Sequence, residues 1–186
     1  MVSVIDLWLA ILVAAIFVFI ASSVLHMVIP IHKKDYKKLP GEASLLEAMR
    51  GQGVQRGHYM FPGCDDMREM ATPEHIEKMN QGPVGFLTVM PNGPINMGRS
   101  LIQWFIFSIL IGIFTGYIAG MALGPGADGV FRTTATIAVL GYAVSNIPDS
   151  IWKGVTWDIT AKFVFDGVVY GLVTGLAFTW LWPAAA

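Results

Sequence analysis

The sequence predicts an all-α membrane protein with four transmembrane helices and a small, mostly helical or irregular insertion between the first two. Three observations support this fold class: long runs without charge, a low overall charge content and an uneven distribution of Lys and Arg. Only 13% of the 186 residues are charged, whereas soluble domains carry about 25%. The net charge of −1 gives no support for nucleic-acid binding.

The first span is predicted over 7–29, which contains no Asp, Glu, Lys or Arg, and Pro30 closes it. No basic stretch precedes this apolar run, so we expect it to remain in the protein as an anchor. The predicted organisation is transmembrane helix one in residues 1–30, an insertion in 31–98 and a three-helix transmembrane part in 99–186. The three later spans are placed at about 100–124, 133–152 and 163–182.

Short helices and a Gly/Pro-rich strip are predicted in the insertion. A capping box from Ser44 to Glu47 predicts a helix over 45–50, and Thr72 followed by Pro73 predicts a helix to about Asn80. The strip 82–98 contains three prolines and four glycines, which exclude a long helix. It is either a short extended piece or turn at the membrane surface, or a docking strip for a partner. The basic run HKKDYKK is either an ordinary topological signal or a site for anionic headgroups.

The second and fourth spans each carry glycines at every fourth position. The span over 101–123 has no charge, and an α-helix of that length covers roughly 35 Å, enough to cross a bilayer. Glycines four residues apart share one helix face and allow another helix to approach closely. The predicted helix-packing residues are Gly112, Gly116, Gly120, Gly124, Gly167, Gly171 and Gly175. Whether these faces pack inside one chain or against other chains remains open at this point.

The third span contains Pro148, which kinks its last turn if the helix continues to Trp152. The segment from Asn146 to Ser150 is either a broken helix end with ion-binding carbonyls or a polar helix terminus capped by Asp149 or Ser150, and we favour the terminus. Short loops at 125–132 and 150–162 predict that spans two to four pack as antiparallel neighbours.

The distribution of Lys and Arg predicts the orientation in the membrane. Eleven of the twelve lie between spans one and two or between spans three and four, and Arg132 alone lies on the other side. Cytoplasmic loops are enriched in these residues. We therefore expect both termini outside and the segment 31–98 in the cytoplasm.

Asp166 is the main candidate for chemistry, because an intramembrane carboxylate is a functional hypothesis by default. Tyr170 and Thr174 follow at helical spacing and extend a polar stripe, and Asp149 is a further polar intramembrane position. One interpretation is a proton or ion path. The alternative, which we favour, is structural: Lys162 pairs with Asp166, or a neighbouring helix hydrogen-bonds it.

Cofactor ligands are not indicated strongly. His26 could be an axial ligand of a haem or chlorin, but an interfacial histidine that bonds a headgroup or a carbonyl is the favoured interpretation. The set His58, Cys64, Asp65, Asp66 and His75 contains metal-ligand residue types without a recognised spacing. We therefore predict no metal and no catalytic residue, and we expect bound lipid only.

Several segments have distinctive sequences: HKKDYKKLPGE, QGPVGFLTVMPNGPINMG, IPDSIWKG and VFDG. Through them the chain resembles a group of small four-span bacterial inner-membrane proteins over nearly its whole length. The resemblance implies a location in the bacterial inner membrane and carries no activity.

Two functions are compatible with these features. The first is a non-catalytic accessory or scaffold subunit of a larger inner-membrane complex, for example an energy-transducing one, with membrane lipids and other integral membrane subunits as partners. The second is a small transporter or channel component that uses Asp166, Tyr170 and Thr174. The first is favoured because no nucleophile motif, phosphate-binding loop or dinucleotide fingerprint is present.

Overall fold

The computed structural model describes residues 1–185 and is mostly helical. The chain divides into two units. The first comprises Met1–Asp35 and Asn96–Ala186, and the second is Tyr36–Ile95. The insertion is therefore a unit of its own, with boundaries a few residues inside the predicted 31–98.

Three helices of the first unit are long and apolar enough to cross a membrane, as predicted. Helix α1 (Trp8–Ser23) continues through a π-helical turn (Val24–Val28), α4 is Met97–Ala122 and α7 is Trp157–Trp180. Helix α7 begins earlier than the predicted 163, so the predicted loop 150–162 is wrong. Asp158 and Lys162 interrupt the apolar pattern but not the helix, and only Gly154–Thr156 connects α7 to the preceding helix.

The third predicted span is broken into two helices, α5 (Val130–Tyr142) and α6 (Ile147–Lys153). A 3₁₀ turn joins them, and Pro148 occupies the first turn of α6, where its missing N–H is tolerated. The amide of Asn146 donates to the carbonyl oxygens of Tyr142 (2.7 Å) and Ala143 (3.2 Å). Carbonyls that the break would leave free are thus satisfied within the chain. The expected cap by Asp149 or Ser150 is wrong, because Asp149 pairs with Lys153 and the Ser150 hydroxyl bonds that of Thr160.

Hydrogen bonds at the ends of the helices define their relative directions. The Val2 N–H donates to the carbonyl of Gly120 (2.9 Å), which places the start of the chain beside the end of α4. The Trp182 indole donates to the carbonyl of Gly124 (3.0 Å), so α4 and α7 end on the same side of the bundle. The Trp104 indole donates to the Ser22 hydroxyl (3.0 Å) on the opposite side. Helices α4 and α7 are therefore parallel, and α1 runs antiparallel to α4.

Six of the seven predicted packing glycines face other segments of the same chain. Gly124 is wrong as a packing residue, because it lies beyond α4 and a Cβ there would meet nothing within 4 Å. A Cβ added at Gly112 would lie 3.0 Å from Ile11, and one at Gly116 would lie 3.3 Å from Phe178. The face of α7 packs on α5, where a Cβ at Gly167 would lie 2.5 Å from the backbone of Ala143. The two glycine faces therefore do not pack on each other: the α4 face receives α1 and Phe178, and the α7 face receives α5.

The second unit contains helices α2 (Glu42–Gly51) and α3 (Pro73–Gln81) and strands β1 (Gly57–Phe61) and β2 (Gly85–Val89). The strands pair antiparallel, with Gly57 opposite Val89 and Phe61 opposite Gly85. The Gly/Pro strip contains a short extended piece, the strand β2, and its position at the membrane surface and its role as a docking strip stay predictions. The prediction of a mostly helical or irregular insertion is wrong in one respect, because it did not include the strand β1. The strand that pairs with β1 lies 28 residues away, so no local sequence pattern indicates the pairing.

Of the two predicted N-terminal caps in the second unit, the structure confirms the one of α3 and not the one of α2. The Thr72 cap is confirmed: its hydroxyl accepts from the His75 N–H (3.3 Å). The Ser44 capping box is wrong, because Gly41, at φ +64°, turns the chain into α2 earlier. The Ser44 hydroxyl lies inside the first turn and donates back to the Gly41 carbonyl (2.8 Å).

Candidate functional site

Five polar side chains meet where α1 ends and α7 begins: His26, His32, Asp35, Lys162 and Asp166. We call them the His–Asp–Lys cluster. All five belong to the first unit. Among the residues that the structure describes, His26, His32 and Asp166 also form the single group of three side chains positioned to hold one metal ion.

An irregular backbone brings the two histidines together. His26 lies in the π-helical turn, Ile29 is extended, and Pro30 begins a 3₁₀ turn that contains His32. On a regular α-helix, residues six positions apart point to different sides. Here the two imidazole rings stack, with centroids 4.4 Å apart and planes 4° from parallel. Single π-turns occur frequently at functional sites.

Asp166 is the point on which the histidines converge. Its Oδ2 lies 2.8 Å from Nε2 of His32 and 3.7 Å from Nε2 of His26. The residue is 1% exposed, and its Oδ1 has no hydrogen-bond partner among the described residues. A buried carboxylate needs compensation, and here it comes from α1 and the turn that follows it.

Each histidine is held by a second hydrogen bond at Nδ1. His26 donates from Nδ1 to the Ser22 carbonyl (3.1 Å), and His32 Nδ1 lies 2.6 Å from Oδ2 of Asp35. Because a carbonyl oxygen can only accept, the His26 proton lies on Nδ1. Both Nε2 atoms are thereby directed toward Asp166.

Asp35 continues the cluster toward Lys162, whose ammonium donates to Oδ1 of Asp35. The Lys162 ammonium, assisted by His32, holds the pKa of Asp35 below its usual value against the opposing effect of burial. Asp35 is therefore ionised at neutral pH. The predicted Lys162–Asp166 pair is wrong, because Lys162 bonds Asp35 instead. The other structural alternative, a hydrogen bond from a neighbouring helix, is met only approximately: the partner is His32, on the 3₁₀ turn that follows α1.

The other predicted polar residues stand apart from the cluster. Tyr170 lies one turn beyond Asp166, and its buried hydroxyl has no partner among the described residues. Thr174 donates to the Tyr170 carbonyl of its own helix (2.8 Å). Asp149 pairs with Lys153 (2.7 Å), and both side chains are largely exposed.

The insertion residues considered as metal ligands are not brought together as a metal site in the part of the chain that the structure describes. His58 lies 3.1 Å from the Thr88 hydroxyl across the β1–β2 pair. His75 is buried, Cys64 is a free thiol, and Asp66 caps a 3₁₀ turn through the Arg68 N–H. His26 was considered as an axial ligand of a haem or chlorin. Its Nε2 faces the Asp166 carboxylate, and His32 covers one face of its ring. The geometry therefore adds no support for a macrocycle.

Sequence reasoning identified Asp166 and His26 but not their contact, and it did not single out His32 or Asp35 as site residues. The available signal was the spacing H-x5-H-x2-D after an apolar span, with Pro30 between the histidines. A proline there ends the helical hydrogen bonding, so the second histidine need not follow the helical spacing of the first.

Comparisons with protein-family models, curated proteins and solved structures give no match for this chain.

Proposed function

We propose that the protein is a four-span, non-catalytic accessory or scaffold subunit of a larger bacterial inner-membrane complex. The observation that carries the proposal is that the second unit has no buried apolar core. Of its sixty residues, Tyr36–Ile95, none is a buried apolar side chain, and His75 is the one buried residue. A unit of this size without an apolar core gains little free energy from its own folding.

The second unit nevertheless exposes large apolar side chains. Phe86 on β2 is 53% exposed and Ile76 on α3 is 47% exposed, and further examples are Leu45, Leu46, Val84, Met90 and Ile95. Exposed apolar groups on an ordered unit are typical of a surface that another molecule covers. We propose that another membrane subunit covers this surface.

In the proposed complex the glycine faces do not contact the partner. They are occupied by α1, α5 and Phe178 of the same chain. The proposed partner therefore contacts the second unit and the outward apolar side chains of α4, such as Ile106, Leu110 and Phe114, rather than the glycines.

Four spans are part of the proposal, although α5 alone is short. Because α4 and α7 are parallel, the chain between them returns across the bundle. The returning segment 130–153 comprises α5, the 3₁₀ turn and α6. At helical rise its 24 residues cover roughly 36 Å, which is sufficient for a fourth crossing.

The proposed orientation, with 36–95 in the cytoplasm and both termini outside, is tested through Cys64, the single cysteine. We expect a membrane-impermeant maleimide to label Cys64 in inverted inner-membrane vesicles and not in right-side-out spheroplasts. The matched control is the double variant Cys64→Ala/Ser3→Cys, for which the pattern should reverse. Labelling of Cys64 from the outside would contradict the orientation.

Polar side chains inside the bundle favour the accessory role over a conducting path. Ser108 donates to the Trp104 carbonyl (3.0 Å), Thr134 to the Val130 carbonyl (2.7 Å), and Thr174 to the Tyr170 carbonyl. Hydroxyls bonded to their own helix are satisfied without lining a path.

A small transporter or channel component is the second candidate. The observation that favours it is the pair Asp166 and Tyr170. Oδ1 of Asp166 and the Tyr170 hydroxyl are both buried, one helical turn apart, and without a hydrogen-bond partner among the described residues. Ionisable groups inside a membrane bundle mark ion pathways as well as structural ties.

The accessory proposal is tested by affinity purification from the native membrane in mild detergent, followed by mass spectrometry. We expect at least one integral membrane protein in stoichiometric amount. The double variant Ile76→Ser/Phe86→Ser should lose it, while Arg56→Ser, an exposed polar control in the same unit, should retain it. Equal recovery with both variants would contradict docking through the second unit.

A further inference from the structure

We propose that His26, His32 and Asp166 bind a divalent transition-metal ion, with Zn²⁺ as the natural probe. The inference goes beyond the accessory role and does not depend on it. One ligand atom from each of the three residues lies within 4.8 Å of the other two. Two imidazoles and a carboxylate are a common ligand set for zinc and for other first-row metals.

The outer hydrogen bonds prepare both rings as ligands. The Ser22 carbonyl fixes the proton of His26 on Nδ1, and Oδ2 of Asp35, 2.6 Å from Nδ1 of His32, is placed to accept from that ring in the same way. Metal-binding histidines usually donate their other ring N–H to such an acceptor, which sets the tautomer and the ring orientation. Lys162 in turn holds Asp35 in place.

With Nδ1 protonated, a neutral imidazole presents the lone pair of Nε2 to its surroundings. Both rings present it to the Asp166 carboxylate, which is itself an acceptor. A cation placed between these acceptors would interact favourably with each of them, and a metal ion is such a cation. The 2.8 Å contact of His32 with Asp166 has the length of a hydrogen bond, but the 3.7 Å separation of His26 from Asp166 is too long for one.

The longer separation suits two ligands of one ion. Zinc ligands lie about 2.0–2.2 Å from the metal, so two of them at the tetrahedral angle are roughly 3.4 Å apart. The His26–Asp166 separation of 3.7 Å is near this value. The His32–Asp166 contact must open by roughly half an ångström. The two imidazole rings, which are 4° from parallel, must also rotate relative to each other, because the Nε2 lone pair that binds an ion lies in the plane of its ring. The His26 side chain, 42% exposed, is the less enclosed of the two.

The site also has an entrance and a spare ligand position. The His26 side chain is 42% exposed, whereas that of Asp166 is 2% exposed. An ion can therefore arrive past His26 and reach the buried carboxylate, whose Oδ1 has no partner among the described residues. Three protein ligands leave one tetrahedral position for water or for a ligand from another molecule.

The test uses the full-length protein, purified in mild detergent, treated with a chelator and titrated with Zn²⁺ by calorimetry, with the bound metal counted by elemental analysis. We expect one zinc per chain. His26→Asn should weaken binding at least tenfold, because it removes one of three ligands. The matched control His58→Asn should bind like the wild type, since His58 belongs to the second unit.

Adventitious binding and misfolding are separated by two further variants. Cys64→Ser should keep the full affinity, which would exclude the thiol as the ligand. His32→Asn should also weaken zinc binding at least tenfold. If this variant does not fold, the zinc affinity of His26→Asn, changed at a half-exposed position, is the deciding result. The proposal is overturned if the wild type takes up no zinc at micromolar concentration, or if His26→Asn binds zinc as tightly as the wild type.

Discussion

Gly167→Ala is expected to destabilise the bundle by about 3 kcal/mol, at the upper end of overpacking effects. The added Cβ would lie 2.5 Å from both N and Cα of Ala143 and 2.6 Å from the carbonyl carbon of Tyr142. These are backbone atoms, so α5 or α7 has to move as a whole. Alanine raises helix propensity by up to about 1 kcal/mol over glycine, which is too small to offset the clash.

A graded series separates this effect from a general intolerance of substitution. Gly116→Ala meets side-chain atoms of Phe178 and Leu7 at 3.3 and 3.4 Å, and Gly124→Ala meets nothing within 4 Å. We expect near-wild-type stability for Gly124→Ala, a small change for Gly116→Ala and a large loss for Gly167→Ala. Thermal unfolding in one detergent gives the order, and a stable Gly167→Ala would contradict the close α5–α7 contact.

Asp166→Asn is expected to cost about 2 kcal/mol, because it disturbs the buried hydrogen bond of 2.8 Å between Oδ2 of Asp166 and Nε2 of His32. The variant leaves the largely buried His32 ring between one carboxylate and a neutral amide. Asp149→Asn is the matched control, because Asp149 pairs with Lys153 on the surface. Surface pairs contribute about 0.5 kcal/mol, so the control should unfold close to the wild-type temperature.

The same variant separates the two candidate functions when it is reconstituted into liposomes below its unfolding temperature. An accessory subunit should give no proton or cation flux above empty liposomes, with or without Asp166. A wild-type flux that Asp166→Asn abolishes and Asp149→Asn preserves would favour the transporter or channel component instead.

The apolar helices could be predicted because their signal is local. Twenty or more residues without charge identify α1 and α4 wherever they occur in a sequence. The start of α7 was misplaced because charges at Asp158 and Lys162 end the apolar pattern, while helix formation depends on backbone hydrogen bonds that those side chains leave intact. Pro148 predicted a kink in the last turn of the third span, whereas the helix breaks earlier, between Tyr142 and Ile147, where the Asn146 amide bonds the freed carbonyls.

The candidate site could be predicted only in part because it depends on contacts across the chain. Asp166 was recognisable as a carboxylate in an apolar segment. His32 and Asp35 resembled ordinary members of a basic juxtamembrane run, and 134 positions separate His32 from Asp166. Likewise, β1 acquires its strand conformation from β2, whose sequence gives no indication of the distant partner.

The most direct test of the accessory role is the mass of the particle that contains this protein when native membranes are dissolved in mild detergent. We expect a particle that contains another membrane protein in a fixed ratio to this chain, and whose mass equals the sum of both. A particle that contains this chain alone, as a monomer or a homo-oligomer, would contradict it.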